Sequence, residues 1–541
     1  MNSRSREELR EESSGIRFDV AIIGAGINGA SLYHELCGRG YRVLLLDKGD
    51  FACGTSQASA MMVWGGLLYL RNFDIKAVVE FSLSRDRMIE RLDGRVRKQS
   101  FRYIPDSKGR NRWMTLSAFY LYWILSSLRR EQPSLQRSFP ESNLIKRAEH
   151  NLGGILFEEG MLNSSDCRFV LDWITKHSCE WQVALNHTSV EDGAFSKQDK
   201  CWRLDLRDQL TGEESHARAA CVVNCAGVWA DRVNGQFGIE SPYKHAFSKG
   251  VFAGIKKATG HELPLIFELG ELDDTYLCLP WGPVSLLGPT ETAVATPEEG
   301  FAPASEDVEY LLHHANRRLS TPVESSDITM LRTGIRPLVV ERDYEADVYP
   351  LDLSRRFQLV ADEAKPWFST YGGKITGCAR FARKVADALV RRVGDAKRNG
   401  NHANGALGQV ERESFPEMPE PVPSIDWCVR NEACCTLDDY LRRRTNISQW
   451  TSREGLGEDN EHLPEIKRLA KRLYPGQATK ANRAVRDYVN RVEQTFDRLT
   501  GRQLQRNGTA KNSHPGDTRR QTSGDPVAGR GQSLADSDGG R

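Results

Sequence analysis

Three glycines near the N terminus have the spacing of a dinucleotide-binding turn. Residues 18–30 read FDVAIIGAGINGA, in which Gly24, Gly26 and Gly29 complete the pattern G-x-G-x-x-G. The first glycine permits a tight turn, the second lets a pyrophosphate approach the backbone, and the third allows a helix to pack closely on a strand. Asp47, 18 residues after Gly29, is placed to accept hydrogen bonds from both hydroxyl groups of a ribose. Together these residues predict that the chain binds a dinucleotide at the N terminus of a helix.

The segments around the glycines predict the elements that position them. The apolar run Val20–Ile23 is typical of a buried parallel strand, ASLYHELCGRG predicts the following helix, and YRVLLLD predicts a second strand that ends at Asp47. Because strand, turn, helix, strand and acid follow in register, a chance glycine-rich turn is disfavoured. The signature lies within the first thirty residues and has no second copy, which favours FAD over NAD as the cofactor.

Two further glycine turns follow apolar strands later in the chain. VVNCAGVWADRV (residues 222–233) contains Ala226, Gly227 and Trp229, and STYGGKITG (residues 369–377) contains Gly372, Gly373 and Lys374. Each turn taken alone is equally compatible with an ordinary connection between a strand and a helix. With the first signature, they favour one cofactor bound by a domain that is discontinuous in sequence.

Composition limits the functional classes. The 541 residues are 39% hydrophobic and 27% charged, with a net charge of +1, which indicates a globular chain without the basic field that nucleic acid requires. The 12 cysteines are scattered and include no C-x-x-C pair, so a reducing compartment is favoured over a disulfide framework, and no metal site is predicted. The charged N-terminal segment shows no secretory signal, which predicts a cytoplasmic location.

One uncharged segment raises the question of a membrane. Residues 113–128, WMTLSAFYLYWILSSL, are shorter than the roughly 20 apolar residues that a span needs. A helix that is wholly or partly buried and a helix that lies in the membrane interface both stay open. The second would make the protein peripheral on the cytoplasmic face of a membrane.

The order of five motifs resembles the FAD-dependent, aerobic-type glycerol-3-phosphate dehydrogenases, which belong to the D-amino-acid-oxidase-like flavoproteins. The motifs are FDVAIIGAGINGA, GTSQASAMMVWGGLLYL, VVNCAGVWAD, LRTGIRPLV and YGGKITG, and TLDDYLRRRT is similar to the family's C-terminal motif. The resemblance covers roughly residues 18–498. It implies an α/β chain with a doubly wound, Rossmann-type FAD-binding domain, an α+β substrate domain with an antiparallel sheet, and a C-terminal α-helical cap domain.

These considerations divide the chain into six parts. In order, they are a flexible N-terminal arm (1–17), a discontinuous FAD-binding domain (18–100, 150–235 and 330–395), a substrate domain (101–149 and 236–329), a linker (396–424), a helical domain (425–498) and a disordered tail (499–541).

The resemblance also implies roles for individual residues. On the cofactor side it adds the hydroxyl-rich turn Thr55, Ser56 and Ser59 to the glycine turns and Asp47. On the substrate side it implies that Tyr69, Arg336 and Lys374 are catalytic, around the substrate's phosphate and hydroxyl groups and the polar edge of the flavin. A guanidinium such as that of Arg336 offers a fixed fork of donors to an anion, although pairing with a nearby carboxylate stays an alternative.

Three positions depart from the family pattern. Where the family shows H-G-G-L-R-Y-L, this chain has Trp64 and Leu68 in the histidine and arginine positions, and Phe252 replaces the histidine of a K-G-x-H segment. A fourth difference is GPTE at Gly288–Glu291, where the family tends to show G-T-T-D. Trp64, Leu68 and Phe252 predict an apolar pocket beside the flavin. Because Trp64 offers no nucleophile for attachment, the FAD is predicted to bind non-covalently.

Three functions stay open at this level. The first is oxidation of a C–OH substrate by hydride transfer to flavin N5, as the resemblance implies, with a quinone or oxygen as electron acceptor. The second is a specialised flavoenzyme acting on a different alcohol or an amine that depends less on phosphate. The third is a flavin-binding interaction protein without turnover. A homodimer is compatible with all three.

Overall fold

The computed structural model describes residues 6–92, 94–147, 151–175, 181–270, 274–344, 353, 356–396 and 409–501. Fourteen helices among these residues are α1 Arg6–Gly15, α2 Ile27–Gly38, α3 Ile75–Arg91, α4 Arg112–Leu125, α5 Asp166–Ile174, α6 Ala230–Gln236, α7 Pro297–Gly300, α8 Ser305–Arg318, α9 Cys378–Val393, α10 Ile425–Glu432, α11 Ile447–Trp450, α12 Leu463–Leu473, α13 Ala478–Val492 and α14 Arg498–Thr500. Shorter 3₁₀ and π-helical turns include Thr55–Gln57, Leu67–Leu70 and Asp439–Arg444.

Twenty strands lie in the same residues. They are β1 Arg17–Ile23, β2 Val43–Leu46, β3 Met62–Val63, β4 Val96–Ile104, β5 Ser134–Gln136, β6 Gly154–Leu162, β7 Gln182–Leu185, β8 Thr188–Ser196, β9 Cys201–Asp208, β10 Glu214–Asn224, β11 Tyr243–Lys256, β12 Leu265–Leu269, β13 Asp274–Trp281, β14 Val284–Gly288, β15 Thr292–Val294, β16 Ile328–Glu341, β17 Gln358–Ala361, β18 Trp367–Tyr371, β19 Arg412–Glu413 and β20 Val422–Pro423.

The first sheet is the predicted doubly wound sheet. Its strand order is β17-β18-β10-β1-β2-β7, and β18, β10, β1, β2 and β7 run parallel. The apolar run of β1 is buried on both faces, as expected for a parallel strand covered by helices. Helices α2 and α9 contact each other over one face. The carboxyl ends of β1, β2 and β10 therefore open at one edge of the sheet, where ligands bind in such folds.

The second sheet has ten strands and is mainly antiparallel. Its order is β15-β11-β14-β13-β12-β4-β6-β3, with β16 paired to β11 and β5 paired to β6. This sheet confirms the antiparallel sheet of the predicted fold class. The long β11–β16 ladder places Phe252 opposite Arg332 and Ser248 opposite Arg336.

The pairing of several strands crosses the predicted domain ranges. Strands β3 and β6, and most of β4 and β16, fall within the ranges predicted for the FAD-binding domain, but they pair in the second sheet. An alternating apolar segment predicts a strand, but it does not predict which strand it pairs with, because that pairing depends on residues far away in the sequence. The chain therefore crosses between the two sheets more often than the sequence indicates.

The C-terminal region is helical, as predicted. In α13 and the turn after it, Val485, Tyr488, Val492 and Phe496 are buried and Val489 is half-buried, which follows the apolar spacing of the sequence. Of the predicted linker 396–424 and tail 499–541, residues 397–408 and 502–541 lie outside the described residues.

The N-terminal segment differs from the predicted flexible arm. Residues 6–15 form α1, in which Arg6 and Arg10 pair with the carboxylate of Asp208 at 2.6 and 3.0 Å. The Asp208 side chain is fully buried, so these pairs form in a partly desolvated position where they are stronger than on the open surface. The low hydrophobicity of this segment predicted a flexible arm, and it gave no sign of the ion pairs that hold α1 to Asp208.

None of the described helices is both long enough and apolar enough to cross a membrane. In α4, which covers most of the uncharged segment 113–128, Thr115, Phe119 and Tyr122 are buried while Trp113, Met114, Leu121 and Ile124 are exposed. One face of this helix is therefore part of the core, and the opposite face presents large apolar side chains to the surroundings.

Candidate functional site

A cavity of about 700 Å³ lies where the carboxyl ends of β1, β2 and β10 face the second sheet. Its volume lies within the range of small-molecule and cofactor sites. Of the sequence-predicted site residues, all but Gly29 and Tyr69 line it. The lining members of that set are Gly24, Gly26, Asp47, Thr55, Ser56, Ser59, Trp64, Leu68, Ala226, Gly227, Trp229, Phe252, Arg336, Gly372, Gly373 and Lys374.

The first glycine turn has the geometry that its sequence predicts. Gly24 has φ +100°, a backbone conformation that side-chain-bearing residues rarely adopt. A Cβ on Gly29 would lie 1.8 Å from the carbonyl oxygen of Gly24, so Gly29 acts from behind the cavity by letting α2 pack on the turn. A Cβ on Gly26 would meet only the Ser56 hydroxyl within 4 Å, at 3.1 Å, and would otherwise project into open space.

Asp47 lies at the end of β2 with its carboxylate held by backbone amides. Oδ2 accepts a hydrogen bond from Ala25 N–H at 2.7 Å, and Oδ1 accepts one from Gly49 N–H at 2.9 Å. Burial raises the pKa of Asp47 to about 6, although the two amide hydrogen bonds oppose the shift. The group is therefore a fixed acceptor that is only partly ionised in weakly acidic solution.

Two of the three hydroxyl groups of the turn 55–59 donate to other groups of the protein. Thr55 Oγ1 donates to the carbonyl oxygen of Ile335 at 2.6 Å, and Ser59 Oγ donates to Asp166 at 2.9 Å. A hydroxyl has one proton, so these two groups are not available as donors to a phosphate. Ser56 Oγ accepts from Ile27 N–H at 2.9 Å and keeps its own proton available for the cavity.

The two later turns are shaped by left-handed glycines. Gly227, Gly372 and Gly373 have φ of +57°, +66° and +109°. His245 Nε2 accepts from Gly372 N–H at 3.2 Å, and Asn28 Nδ2 donates to the carbonyl oxygen of Gly372 at 2.9 Å. The Asn28 contact ties the last turn to the first, and the His245 contact ties it to β11.

Sequence reasoning missed several lining residues. Asn28 occupies a variable position of the first glycine motif, and its buried Oδ1 has no hydrogen-bond partner among the described residues. Lys48 follows Asp47 directly, and its ammonium lies 4.0 Å from the ring centre of Trp229. Proximity to a motif residue is the only sequence signal that either of them carries.

Arg336 and Glu291 form the polar wall that the second sheet contributes. Arg336 Nη1 lies 3.0 Å from Glu291 Oε2 and 3.3 Å from Ser248 Oγ, and Ser248 also donates to Glu291. The Glu291 side chain is almost fully buried, so the pair lies in a medium where charges interact strongly. The alternative that Arg336 pairs with a carboxylate is therefore realised, inside the cavity.

Lys374 is held by aromatic faces. Its ammonium lies 4.3 Å from the ring centre of Tyr69 and 4.8 Å from that of Phe81, and the two rings stack at 5.5 Å. Gly66, with φ +95°, turns the chain into the 3₁₀ turn Leu67–Leu70, which directs Leu67 and Leu68 to the cavity and Tyr69 behind it. Tyr69, expected to be catalytic, is thus placed to support Lys374.

The three substituted positions come together in the cavity wall. Phe252 is buried, Trp64 is half-buried with edge-on contacts to Phe101 and Phe157, and Leu68 is exposed at the rim. Thr376 Oγ1 donates to the carbonyl oxygen of Trp64 at 3.1 Å, which fixes this residue beside the Gly372–Gly373 turn.

A family model described as FAD dependent oxidoreductase (DAO) matches residues 19–388. This chain belongs to that family. The matched residues include every cofactor turn described above.

This FAD-dependent oxidoreductase is also similar to named relatives. It is 27% identical over 403 residues to the aerobic glycerol-3-phosphate dehydrogenase of Staphylococcus haemolyticus, over 73% of this chain and 70% of that protein. It is 27% identical over 406 residues to the protein of the same name from Staphylococcus aureus, with the same shares covered.

Solved structures share the fold. The glycerol-3-phosphate dehydrogenase from Bacillus halodurans complexed with FAD has a TM-score of 0.68 at 18% identity, over 91% of this chain and 98% of that one. The L-α-glycerophosphate oxidase from Mycoplasma pneumoniae with FAD bound has a TM-score of 0.54 at 13% identity, over 72% and 98% of the two chains.

The predictions of an FAD-dependent enzyme and of FAD as its cofactor are confirmed by the family. The described residues also fit this dinucleotide, because the cavity offers an open approach at Gly26, an acceptor at Asp47 and an unsatisfied buried oxygen at Asn28. The two alternatives, an amine- or alcohol-specific enzyme of another pathway and a non-catalytic binding protein, are not favoured by these matches.

Proposed function

We propose that this FAD-dependent oxidoreductase oxidises the hydroxyl-bearing carbon of a small phosphate ester of the glycerol 3-phosphate type. The observation that carries the proposal is the Arg336–Glu291 pair, which lines the same cavity as the cofactor turns. An anion-binding fork beside a carboxylate suits a substrate that has both a phosphate and an alcohol. The names of the relatives support the same substrate class.

Each polar residue has a chemical task in this proposal. Bound FAD supplies the acceptor for a hydride from the substrate carbon. Arg336 binds the phosphate, and Glu291 takes the proton of the alcohol, in place of the histidines of the family pattern. Lys374 stabilises the negative charge that develops in the cavity, where low solvent access strengthens its effect.

The apolar wall sets the limits of the substrate. Trp64 and Phe252 exclude water from the reacting atoms, and Leu68 cannot hold a phosphate as an arginine would. Since a charge-assisted hydrogen bond contributes about 1.5–3 kcal/mol, we expect weaker binding of glycerol 3-phosphate than in a relative that has the arginine.

Anaerobic flavin bleaching tests the proposal. The purified yellow protein is mixed with glycerol 3-phosphate, and the absorbance near the flavin maximum is followed, with dithionite reduction as the control for a competent cofactor. Complete bleaching supports the proposal. If dithionite bleaches the flavin but neither glycerol 3-phosphate nor other small phosphate esters of alcohols do, the proposal is wrong.

Arg336→Gln separates binding from chemistry. We expect the KM for glycerol 3-phosphate to rise about 10- to 100-fold, since a charge-assisted contact worth about 1.5–3 kcal/mol is lost. The control is Arg203→Gln, because Arg203 is an exposed arginine on β9. An unchanged KM in Arg336→Gln would remove the proposed phosphate partner.

We further infer that electrons pass to a quinone at a membrane surface on which α4 lies. The apolar surface of α4 and the turn after it, defined as Trp113, Met114, Leu121, Ile124 and Leu128, is exposed, with Trp113 at 55% and Ile124 at 57%. The helix contacts the turn Leu67–Leu70, in which Leu68 reaches both the surface and the cavity.

Charge around this surface favours an anionic bilayer. Lys108, Arg110 and Arg129 are exposed and flank α4 in sequence, and the exposed Lys76 belongs to α3, which contacts α4. Basic residues beside an apolar helix face bind anionic headgroups while the aromatic and aliphatic side chains enter the interface.

Sedimentation with vesicles tests this surface. Protein with bound FAD is expected to pellet with vesicles containing phosphatidylglycerol, less with pure phosphatidylcholine, and less again when Trp113 and Ile124 are both changed to Ser. Leu210→Ser is the matched control, because Leu210 is an exposed leucine elsewhere. Equal pelleting of both variants would contradict the proposal. A homodimer stays a prediction.

A further inference from the structure

A second cavity of about 580 Å³ lies between β16, the turn at Gln57 and the C-terminal helices. Its described lining shares no residue with the cavity that holds the cofactor turns. The turn Thr55–Gln57 separates them, since Thr55 lines the first cavity and Gln57 lines the second. None of the residues to which a cofactor or catalytic role was given above lines this second cavity.

The carboxylates in its wall are already paired. Glu454 lies 2.8 Å from Arg491, and Asp438 lies 2.6 Å from Arg443. A third carboxylate, Asp487, lies on the exposed side of α13 near two exposed arginines. The acidic groups are therefore neutralised by the protein itself.

Arg442 carries a charge that the protein does not neutralise directly. Its Nη2 donates to the carbonyl oxygen of Gln57 at 2.7 Å, and no carboxylate among the described residues forms an ion pair with it. The nearby charged group that acts on it most strongly is another guanidinium, that of Arg332. Burial and then Arg332 lower the pKa of Arg442 to about 10, which is the direction expected for a cation that lacks a counterion.

The same wall contains buried polar atoms without partners. Ser448 is 2% exposed, and its Oγ has no hydrogen-bond partner in the described part of the chain. Thr333 Oγ1 and Arg332 Nε, from residues that also line the cavity, have none either. Arg332 pairs with Asp166 through Nη2, which leaves Nε as its unsatisfied donor. Buried polar groups are normally satisfied, so these two hydroxyl groups and this Nε indicate a missing acceptor.

The rest of the lining is apolar and aromatic. It includes Phe301, Leu331, Leu437, Tyr474 and Tyr488. A ligand that pairs with Arg442 and the unsatisfied polar atoms, and that also packs on the apolar residues, has an anionic head and an apolar body.

We propose that the second cavity binds a small molecule with a phosphate or carboxylate head, held by Arg442 beside Arg332, and an aromatic or aliphatic body packed on the C-terminal helices. The site is independent of the substrate proposed above, because it lies on the other side of the turn Thr55–Gln57. Arg442 binds the head as a fork, and the apolar residues select against free inorganic phosphate.

Calorimetric titration of the FAD-loaded protein tests this site. Phenyl phosphate, benzoate and inorganic phosphate are the probes, and we expect saturable binding of phenyl phosphate or benzoate that is tighter than that of inorganic phosphate. Arg442→Gln should weaken it about tenfold or more, because a charge-assisted contact is lost. Arg430→Gln, which changes an exposed arginine outside the lining, is the matched control and should bind as the wild type does.

Two further measurements identify the cavity in which the probe binds and the kind of head group that the site prefers. Retained binding in Arg336→Gln excludes the first cavity as the site measured. Tighter binding of phenyl phosphate than of benzoate identifies a phosphate head, and the reverse order identifies a carboxylate head. Absence of binding in the wild type, or equal binding in Arg442→Gln, overturns the proposal.

A measurement on the wild-type protein keeps the test decisive if Arg442→Gln does not fold. Crystals of the FAD-loaded protein are soaked in 4-bromophenyl phosphate, and the anomalous signal of bromine locates the ligand. Bromine among Tyr474, Tyr488 and Leu437 supports the site. Bromine only elsewhere, or none, overturns it.

Discussion

Asp47 shows how burial gives the carboxylate that is predicted to bind the cofactor a pH dependence. The ordinary pKa of an aspartate is about 3.9, and burial raises that of Asp47 to about 6. The ionised carboxylate offers more acceptor sites to the two ribose hydroxyls than the protonated form, in which one oxygen carries a proton. FAD binding therefore favours the deprotonated form, and it competes with protonation as the pH falls through about 6.

The first prediction concerns this titration. We expect the Kd of the apoprotein for FAD to rise as the pH is lowered from 7 to 5, because protonated Asp47 loses an acceptor site. Asp47→Asn should bind FAD about 10- to 100-fold more weakly at neutral pH and lose this pH dependence. Fluorescence titration of the apoprotein measures both. A pH dependence of the same size in the variant would show that another group titrates.

The second prediction concerns the proposed proton acceptor. Glu291→Gln should lower kcat on the substrate that bleaches the flavin by about 10²- to 10⁴-fold, since general base catalysis contributes this much. The KM should change little, because Arg336 remains. Glu306→Gln, at an exposed glutamate on α8, is the control. A wild-type kcat in Glu291→Gln would exclude this carboxylate as the base.

At the scale of elements, the packing of α2 on the first glycine turn leaves no room for a side chain at Gly29. A Cβ at Gly29 would lie 1.8 Å from the Gly24 carbonyl oxygen, a distance at which backbone must move. By contrast, a Cβ at Gly235 in α6 meets nothing within 4 Å. The two glycines thus offer a matched pair of substitutions in helices.

The third prediction uses this pair. Gly29→Ala should lower the melting temperature and abolish FAD binding, because α2 and its N-terminal amides are displaced from the turn. Gly235→Ala should leave FAD binding unchanged and stabilise the protein by up to about 1 kcal/mol through helix propensity. Thermal melting with and without FAD measures both effects. Normal FAD affinity in Gly29→Ala would contradict the close-packing argument.

A second element links the cavity to the surface. The buried Glu159 of β6 accepts hydrogen bonds from Gly65 N–H at 3.0 Å, from Arg85 at 2.9 Å and from Tyr122 of α4. Gly65 follows Trp64 in the cavity wall. The helix with the exposed apolar face is therefore joined to the cavity wall through one buried carboxylate, where an unmade hydrogen bond would be costly.

At the scale of the whole molecule, the C-terminal region is fastened to the cofactor turn by a buried ion network. Arg443 and Arg444 both donate to Asp50, three residues after Asp47, at 2.6 Å. Asp439 pairs with His187 Nε2 at 3.0 Å. Burial opposes the charged form of His187, but the hydrogen bond and charge of Asp439 raise its pKa above the ordinary value.

The fourth prediction follows from the sign of this shift. A raised histidine pKa contributes stability that is fully present below the unfolded pKa of about 6.5 and is lost as the pH rises through the folded pKa. The melting temperature should therefore fall across this window in the wild type and fall less in His187→Gln. His216→Gln, at an exposed histidine on β10, is the control. Equal slopes in the wild type and His187→Gln would contradict the network's role.

The sequence by itself determined the cofactor half of this protein. Gly24, Gly26, Gly29 and Asp47 lie within thirty residues, and their spacing fixes a strand–turn–helix–strand unit whose geometry is local. The two later glycine turns and the helix α13 can also be predicted from residues that are close together in the sequence. Local backbone sterics and periodicity are sufficient for these features.

The tertiary structure alone decided what surrounds that half. In the folded chain Arg336 pairs with Glu291, and Thr55 and Ser59 donate their protons to other groups of the protein. The ring of Tyr69 lies against the ammonium of Lys374, and α1 is held by ion pairs to Asp208. Strands β3, β6 and β16 pair in the second sheet, and Arg442 lines a second cavity. Each of these depends on contacts between residues far apart in sequence, because the partner of a charge, a hydroxyl or a strand is chosen by the packed chain.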